Sequence, residues 1–205
     1  MTRDNGDMRL FLVRHGQTAA NTRLELDTGE PGFPLTALGW EQAAALPVAF
    51  RGIEIDHIVT SHLTRTKETA RPLAESRGIQ PVVDESVREI IAGDLEMKSD
   101  EESIRVYHET VEAWSHGDLD PRMPGAEDGH EVVGRFDAAL DRAREAANDG
   151  AVAVFAHGAI IRMWSRVRAE NADFERFLIV PNTGIVEMEI GEGAPRIVRW
   201  LGELA

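Results

Sequence analysis

The chain of 205 residues is 42% hydrophobic and 28% charged, proportions that are ordinary for a water-soluble globular protein. It contains no cysteine, which excludes disulfides and thiol chemistry, and its formal net charge of -14 argues against non-specific binding to nucleic acid or anionic membranes. The first seven residues are polar, and the longest clean apolar run, Ala151 to Ala156, is far too short to span a membrane. We therefore expect one cytoplasmic domain over residues 1–205, with no nucleic-acid or membrane partner.

The first half of the chain alternates short apolar runs with amphipathic segments. The pattern predicts, in chain order, a strand over 8–13, a short helical or loop segment over 17–23, a loop over 26–34, a helix over 36–48, a strand over 53–60, a helix over 64–76 and a strand over 80–83. Gly78 ends the helix over 64–76, which we expect Pro72 to bend. This alternation is typical of a parallel sheet with helices on its faces.

The regularity lapses in the second half of the chain and then returns. The pattern predicts a loop over 92–102, a helix over 101–115, an acidic loop over 117–129, a helix over 131–148, a strand over 151–156, a helix over 159–168 and two hairpin-like strands over 184–190 and 196–200. The run over 151–156 is the most strand-like in the chain. We see no internal repeat and no low-complexity tract.

Two of the predicted strands end in a histidine followed by glycine. The first strand leads into Arg14 and His15, and the strand over 151–156 leads into His157. Parallel strands bring both imidazoles to the same edge of the sheet, where the loops of α/β proteins form their binding crevice. A third strand end leads to Arg65, in the first turn of a helix. Two histidines, two arginines and free backbone N–H groups at such an edge make a site for a tetrahedral dianion.

Further short segments carry polar residues and glycines at fixed spacing. In chain order they are Arg14-His15-Gly16-Gln17-Thr18 with Asn21; Pro34-Leu35-Thr36 through Gly39 to Gln42; Ser61-x-Leu63-x-Arg65-Thr66-x-x-Thr69-Ala70; Arg88-Glu89-Ile90 with Gly93-Asp94-Leu95-Glu96; Pro124-Gly125-Ala126-Glu127; Ala156-His157-Gly158 through Arg162; and Asn182-Thr183-Gly184. In their order and content these segments resemble the histidine phosphatase superfamily, in particular the phosphoglycerate-mutase-like enzymes of its branch 1. The resemblance covers nearly the whole chain.

The resemblance implies an α/β fold: a three-layer sandwich with a central, mostly parallel sheet, helices on both faces and a small lid over the C-terminal strand edge. The lid would be an insertion over about residues 90–130. The implied activity is that of a metal-independent phosphatase, which hydrolyses a small phosphomonoester through a phosphohistidine and needs no cofactor. The alternatives are a cofactor-dependent transfer of the phosphoglycerate mutase type, or a non-catalytic phospho-ligand binder. The substrate and the oligomeric state, a homodimer included, stay open.

The resemblance assigns His15 the role of nucleophile, which attacks phosphorus. A histidine must be neutral to attack, and we expect Arg14 and Arg65 to disfavour its imidazolium. The resemblance also implies that Arg14, Arg65 and His157 hold the charge that develops on the equatorial phosphoryl oxygens. Cationic side chains would thus replace the metal ion that other phosphatases use.

The remaining predicted site residues supply hydrogen bonds and protons. Asn21 and the backbone at Gly158 are expected to donate to the phosphate. Glu89 is the predicted general acid and then the base for the hydrolytic water, because it occupies the family's position after a hydrophobic-Arg pair and ahead of a Gly-x-x-Glu segment. Glu96 is the next candidate for that role.

Three cations in the expected lid, Lys98, Arg105 and Arg122, are candidates to meet a second anionic group of the substrate. His62 is a candidate for the rim of the pocket, whereas we expect His108 at the surface. A metal site is not favoured, since no histidine pair at helical spacing has a supporting carboxylate.

Overall fold

The computed structural model describes residues 7–175 and 179–200 and the backbone of residues 203–204. Within them, the strands are β1 (Met8–Arg14), β2 (His57–Thr60), β3 (Val82–Val83), β4 (Ala151–Ala156), β5 (Ile185–Ile190), β6 (Arg196–Trp200) and β7 (Glu203–Leu204). The α-helices are α1 (Ala19–Arg23), α2 (Ala37–Ala49), α3 (Thr64–Arg77), α4 (Glu101–Ser115), α5 (Gly129–Ala146) and α6 (Gly158–Arg168), with short 3-10 turns at Glu85–Val87 and Gly93–Leu95. None of these helices is long and apolar enough to cross a bilayer.

The strands form one sheet in the order β3-β2-β4-β1-β5-β6-β7. The pairs β3–β2, β2–β4 and β4–β1 are parallel, and the remaining three pairs are antiparallel. Strands β1 to β4 and β6 therefore run in one direction, which confirms the expected mostly parallel sheet. The pair β5–β6 is the predicted hairpin.

Side chains of the central strands alternate between two cores, one on each face of the sheet. Leu10 and Leu12 of β1 belong to the core under α4, α5 and α6, whereas Phe11 and Val13 belong to the core under α2 and α3. This alternation follows from the two-residue period of a strand, and it is possible here because both faces are covered by helices. The three-layer arrangement is confirmed.

Several boundaries differ from the prediction for local reasons. Strand β2 begins at His57 rather than at residue 53, since the Asp56 carboxylate accepts the N–H of Ala151 just before the ladder starts (2.8 Å). Helix α3 runs through Pro72, as predicted, because burial of its apolar face outweighs one lost backbone hydrogen bond, and it ends at Arg77, one residue later than expected. Helix α5 begins two residues early because Asp128 forms a capping box with Glu131.

The register of the sheet places three strand ends side by side. Arg14 of β1 is paired with Ala156 of β4, and Thr60 of β2 is paired with Phe155 of β4. The residues that follow these strands, His15, His157 and Ser61, therefore meet at the C-terminal edge of the parallel strands.

Candidate active site

His15 and His157 lie next to each other just beyond β1 and β4. Their ring centroids are 5.3 Å apart, with an angle of 59° between the planes. Both rings are buried, His157 completely. The structure thus confirms the prediction that two strand ends bring both imidazoles to the same edge of the sheet.

The protonation of His15 is set by its own loop. Its Nδ1 lies 2.7 Å from the carbonyl oxygen of Gly16. A carbonyl oxygen only accepts, so Nδ1 carries the hydrogen and Nε2 keeps its lone pair. Burial, followed by the charges of Arg65 and Arg14, holds the pKa of His15 well below its usual value. His15 is therefore a neutral imidazole whose Nε2 has no hydrogen bond within the described part of the chain, the form that can attack phosphorus.

Arg65 enters the site from the first turn of α3 and is 2% exposed. Its Nη2 donates to the Asp27 carbonyl (2.9 Å), its Nη1 forms an ion pair with the Asp27 carboxylate (3.3 Å), and its Nε donates to Nδ1 of His157 (3.3 Å). Burial lowers the pKa of Arg65, and Asp27 opposes that shift. Sequence reasoning missed Asp27, because an acid in an irregular loop carries no signal of a partner 38 positions away.

Arg14, the last residue of β1, provides the second guanidinium of the site. Its Nη1 donates to the carbonyl of Val180 (2.7 Å), and its Nε is buried without a partner among the described residues. A Cβ at position 158 would lie 3.0 Å from that Nε, so Gly158 leaves Arg14 the space it occupies. Burial lowers the pKa of Arg14, and the charge of Glu89 opposes this.

Asn21 is oriented by two donors. Its Oδ1 accepts from the backbone N–H of Thr18 (3.0 Å) and from Nδ2 of Asn182 (3.1 Å). Because the oxygen takes both bonds, the amide nitrogen is the group that Asn21 can offer to an anion. Asn182 also donates to the carbonyl of His15 (3.1 Å), which gives the Asn182-Thr183-Gly184 segment a structural role beside the site.

Glu89 lies against the N-terminus of α6. Its Oε1 accepts the N–H groups of Ile90 (3.0 Å) and Ile160 (2.9 Å), and its Oε2 accepts the N–H of Ala159 (3.2 Å). A carboxylate here satisfies orphan N–H groups of the helix and interacts favourably with its dipole. The arrangement fixes the carboxyl group beside the two guanidiniums.

Glu96 is turned away from the site. Its Oε1 accepts the N–H groups of Thr28 and Gly29, both at 2.9 Å, and its Oε2 accepts from the Thr28 hydroxyl. These bonds anchor the loop that presents Asp27 to Arg65. Of the two predicted acids, the structure thus brings only Glu89 to the site.

A cavity of about 270 Å³ opens at this edge of the sheet. Its walls include all of the predicted site residues except His157, namely Arg14, His15, Asn21, Arg65, Glu89 and Gly158. His157 lies behind Arg65 with both ring nitrogens bonded to protein groups. Nδ1 of His157 accepts from Nε of Arg65, and contact between His157 and the phosphoryl oxygens stays a prediction.

The expected lid contributes Tyr107 and His108 of α4 to the cavity wall. Its predicted cations do not line the cavity: Arg105 is paired with Glu102 and Glu109 on the outer face of α4, and Arg122 is paired with Asp128. Lys98 and His62 are likewise absent from the walls.

The additional cation in the cavity wall is Arg162 of α6, which forms an ion pair with Glu112 (3.3 Å). Its position follows from helical spacing, because residues 158 and 162 lie one turn apart on the same face. Within the described ranges, no group of three or more His, Asp or Glu side chains is arranged to hold a metal ion.

Comparison with known proteins places this site in a wider context. Residues 10–202 match the sequence profile described as "Histidine phosphatase superfamily (branch 1)". The chain is 30% identical over 203 residues to a "Probable phosphoglycerate mutase GpmB" of Escherichia coli, covering 97% of this chain and 92% of that protein, and 32% identical over the same extents to the Salmonella choleraesuis protein of that name. Among solved structures, a mycobacterial glucosyl-3-phosphoglycerate phosphatase superposes with a TM-score of 0.77 at 23% identity, covering 96% of this chain and all of that one. The α-ribazole phosphatase of Shigella flexneri superposes with a TM-score of 0.73 at 24% identity, covering 97% and 98%.

Proposed function

The chain belongs to branch 1 of the histidine phosphatase superfamily, and we propose that it is a metal-independent phosphatase that hydrolyses a small phosphomonoester through a phosphohistidine at His15. The observation that carries the proposal is the state of His15: a neutral ring whose Nδ1–H is held by Gly16 and whose Nε2 is free, in a cavity with two guanidiniums. A module that only binds phosphate has no need of such a nucleophile.

In the first step, Nε2 of His15 attacks phosphorus and the bond from phosphorus to the ester oxygen breaks. Arg14 and Arg65 hold the charge on the equatorial oxygens, and the amide nitrogen of Asn21 adds a donor. The leaving oxygen takes its proton from Glu89, whose carboxyl group carries that proton while the phosphate dianion is bound beside it. Oε2 is the better placed oxygen for this transfer. It accepts one hydrogen bond, at 3.2 Å, which is longer than either of the two that Oε1 accepts.

In the second step, a water molecule attacks the phosphohistidine. Glu89, now a carboxylate, takes a proton from that water, and the P–N bond to His15 breaks. Inorganic phosphate leaves, and His15 is again neutral. The two steps use the same groups in opposite protonation states, so Glu89 serves as acid and then as base.

Hydrolysis is favoured over mutase activity by the walls of the cavity. A mutase must hold its released intermediate while it excludes water, which takes cationic groups for the substrate and an enclosing lid. Here Arg105 and Arg122 are engaged by acids of the lid itself, and Arg162, the additional cation of the cavity wall, is paired with Glu112. The mutase alternative is supported by the Escherichia coli relative, which is named a probable phosphoglycerate mutase.

The nucleophile is tested by rapid quenching in base after mixing the protein with a phosphate-labelled aryl ester. We expect label on the wild-type protein and neither label nor turnover with His15→Ala. Label on the variant would refute the assignment, and a large loss of wild-type rate with a chelator, reversed by metal, would refute metal independence. Supplying 3-phosphoglycerate with catalytic 2,3-bisphosphoglycerate separates the alternatives, because isomer exchange that outpaces phosphate release identifies a mutase.

A further inference from the structure

Two buried hydroxyl side chains connect His157 to the start of α3. Nε2 of His157 lies 2.8 Å from Oγ of Ser61, which in turn lies 2.8 Å from Oγ1 of Thr66. Thr66 Oγ1 is also 2.8 Å from the carbonyl oxygen of Leu63. His157, Ser61 and Thr66 are each 0% exposed, so solvent provides no substitute for any of these partners.

The hydrogens of this chain can be assigned from its two ends. At one end, Nε of Arg65 can only donate, so Nδ1 of His157 must accept and carries no hydrogen. At the other end, the Thr66 hydroxyl can donate to two backbone carbonyls, that of Leu63 (2.8 Å) and that of Ser61 (3.1 Å), both of which can only accept. The Thr66 oxygen then accepts from the hydroxyl of Ser61, and the Ser61 oxygen accepts from Nε2–H of His157. The Ser61 oxygen also accepts the backbone N–H of Leu63 (3.3 Å), which leaves the Ser61 hydrogen to Thr66, so the direction of the chain follows from the Arg65 end.

We propose that Ser61, supported by Thr66, locks His157 in its Nε2–H tautomer and thereby positions the guanidinium of Arg65 for phosphate. Ser61 is a positioning residue in this scheme, since it acts through His157. The role of Arg65 as a phosphate ligand rests on the proposed function, whereas the tautomer of His157 does not.

The lock matters because the opposite tautomer would place two donors against each other. With the hydrogen on Nδ1, the ring N–H would face Nε–H of Arg65 at the distance now occupied by a hydrogen bond. Arg65 would then have to leave its position between His157 and Asp27. The two adjacent histidines thus hold opposite tautomers: Nδ1–H in His15, which frees Nε2 for attack, and Nε2–H in His157, which leaves Nδ1 to accept from Arg65.

The tautomer can be read directly from nitrogen NMR of protein labelled with [15N]histidine, because a ring nitrogen without hydrogen resonates far from one with hydrogen. We expect the His157 signals, identified by their loss in His157→Gln, to show a neutral ring protonated at Nε2 near pH 7.5. In Ser61→Ala, Nε2–H loses its acceptor, so we expect the signal of a second neutral tautomer, protonated at Nδ1. The inhibition constant of inorganic phosphate should rise about tenfold to a hundredfold, the range for leaving one buried donor unsatisfied.

Two further variants separate the lock from a general loss of stability. Ser76→Ala is the matched control, because Ser76 also lies in this part of the chain, in α3, and donates to a helix carbonyl, that of Leu73 (2.8 Å), away from the cavity. It should change neither the tautomer nor phosphate inhibition. Thr66→Val keeps the shape of the side chain and removes the acceptor of the Ser61 hydroxyl, so we expect the same changes as in Ser61→Ala at smaller size.

A His157 ring protonated at Nδ1 in the wild-type protein would overturn the proposal. So would a Ser61→Ala variant that keeps both the wild-type tautomer and the wild-type inhibition constant. If no phosphomonoester is turned over by the wild-type protein, the proposed function fails, yet the NMR result still decides the tautomer. The two failures are therefore distinguishable.

Discussion

Replacing Glu89 by glutamine removes an acid and at the same time disturbs a helix end. The Glu89 carboxylate accepts three backbone N–H groups, two at Oε1 and one, that of Ala159, at Oε2. Glutamine keeps an oxygen for the pair at Oε1, but its amide nitrogen then faces the N–H of Ala159 as a second donor. The variant therefore loses one charge-assisted hydrogen bond and the interaction of a negative charge with the α6 dipole.

The expected cost in stability follows from these contacts. A hydrogen bond to a charged group contributes about 2 kcal/mol to the free energy of unfolding. For a chain of this size, each 1 kcal/mol shifts the melting temperature by about 3 °C. We therefore expect Glu89→Gln to melt roughly 6 °C below the wild-type protein. The same substitution at Glu85, an exposed residue four positions earlier, should leave the melting temperature unchanged.

The effect on rate is separated from this structural effect by varying the leaving group. Loss of a general acid costs on the order of 10²–10⁴ in rate when the leaving oxygen needs a proton, as in an alkyl phosphate. An aryl phosphate has a good leaving group and should lose far less. Displacement of Arg14 or α6 would slow both esters equally, so the ratio of kcat/KM for the two esters isolates proton donation. Equal losses for both esters in Glu89→Gln would refute the assignment of Glu89 as the acid.

Three further predictions concern the charges around the phosphate site. Asp27→Asn leaves the buried Arg65 guanidinium uncompensated, so urea unfolding should show a free energy of unfolding lower by about 3 kcal/mol. Inorganic phosphate should then raise the melting temperature of the variant more than that of the wild type, and an equal rise in both would contradict this. Gly158→Ala places a methyl group against Nε of Arg14, so calorimetric titration should show weaker phosphate binding with little change in melting temperature. An unaltered affinity would show that Arg14 does not need the space left by the missing side chain at position 158. Burial lowers the pKa of both His15 and His157, so the unfolded chain binds more protons than the folded protein below pH 6.5. The free energy of unfolding should therefore fall as the pH drops through that value, by about 1.4 kcal/mol per pH unit for each histidine. The fall should be smaller in His157→Gln, and an equal fall in that variant would exclude His157 as a source.

The sequence predicted those features of the site that depend on local pattern. The ends of β1 and β4 could be placed because continuous apolar runs stop at a histidine and a glycine, and parallel topology then brought His15 and His157 together. Helix α4 was predicted to the residue, since its apolar side chains repeat at helical spacing. Glu89 needed the family resemblance, as nothing local distinguishes it among many acids.

Features that depend on contacts between distant segments could not be read in this way. The pairing of Asp27 with Arg65 joins a loop to a helix, and the Ser61 hydroxyl meets His157 across 96 positions. Both contacts are set by the loop conformations at the sheet edge, which periodicity does not encode. Contact between the lid cations and a second anionic group stays a prediction, and the position of Arg105 outside the cavity wall has a related cause, since acids at helical spacing on α4 engage it.

The charge balance of the site explains how a chain with a net charge of -14 can hold a phosphate dianion. Arg14 and Arg65 are both buried, and burial disfavours their charged forms. Asp27 compensates Arg65 from behind, whereas Nε of Arg14 has no partner among the residues that the structure describes. An anion in the cavity would therefore offset a cost that the free protein already bears, because the guanidiniums are desolvated and held in place before it arrives. The surrounding acidic surface acts through solvent and is screened within about 8 Å at physiological salt, so it weakens this local field only slightly.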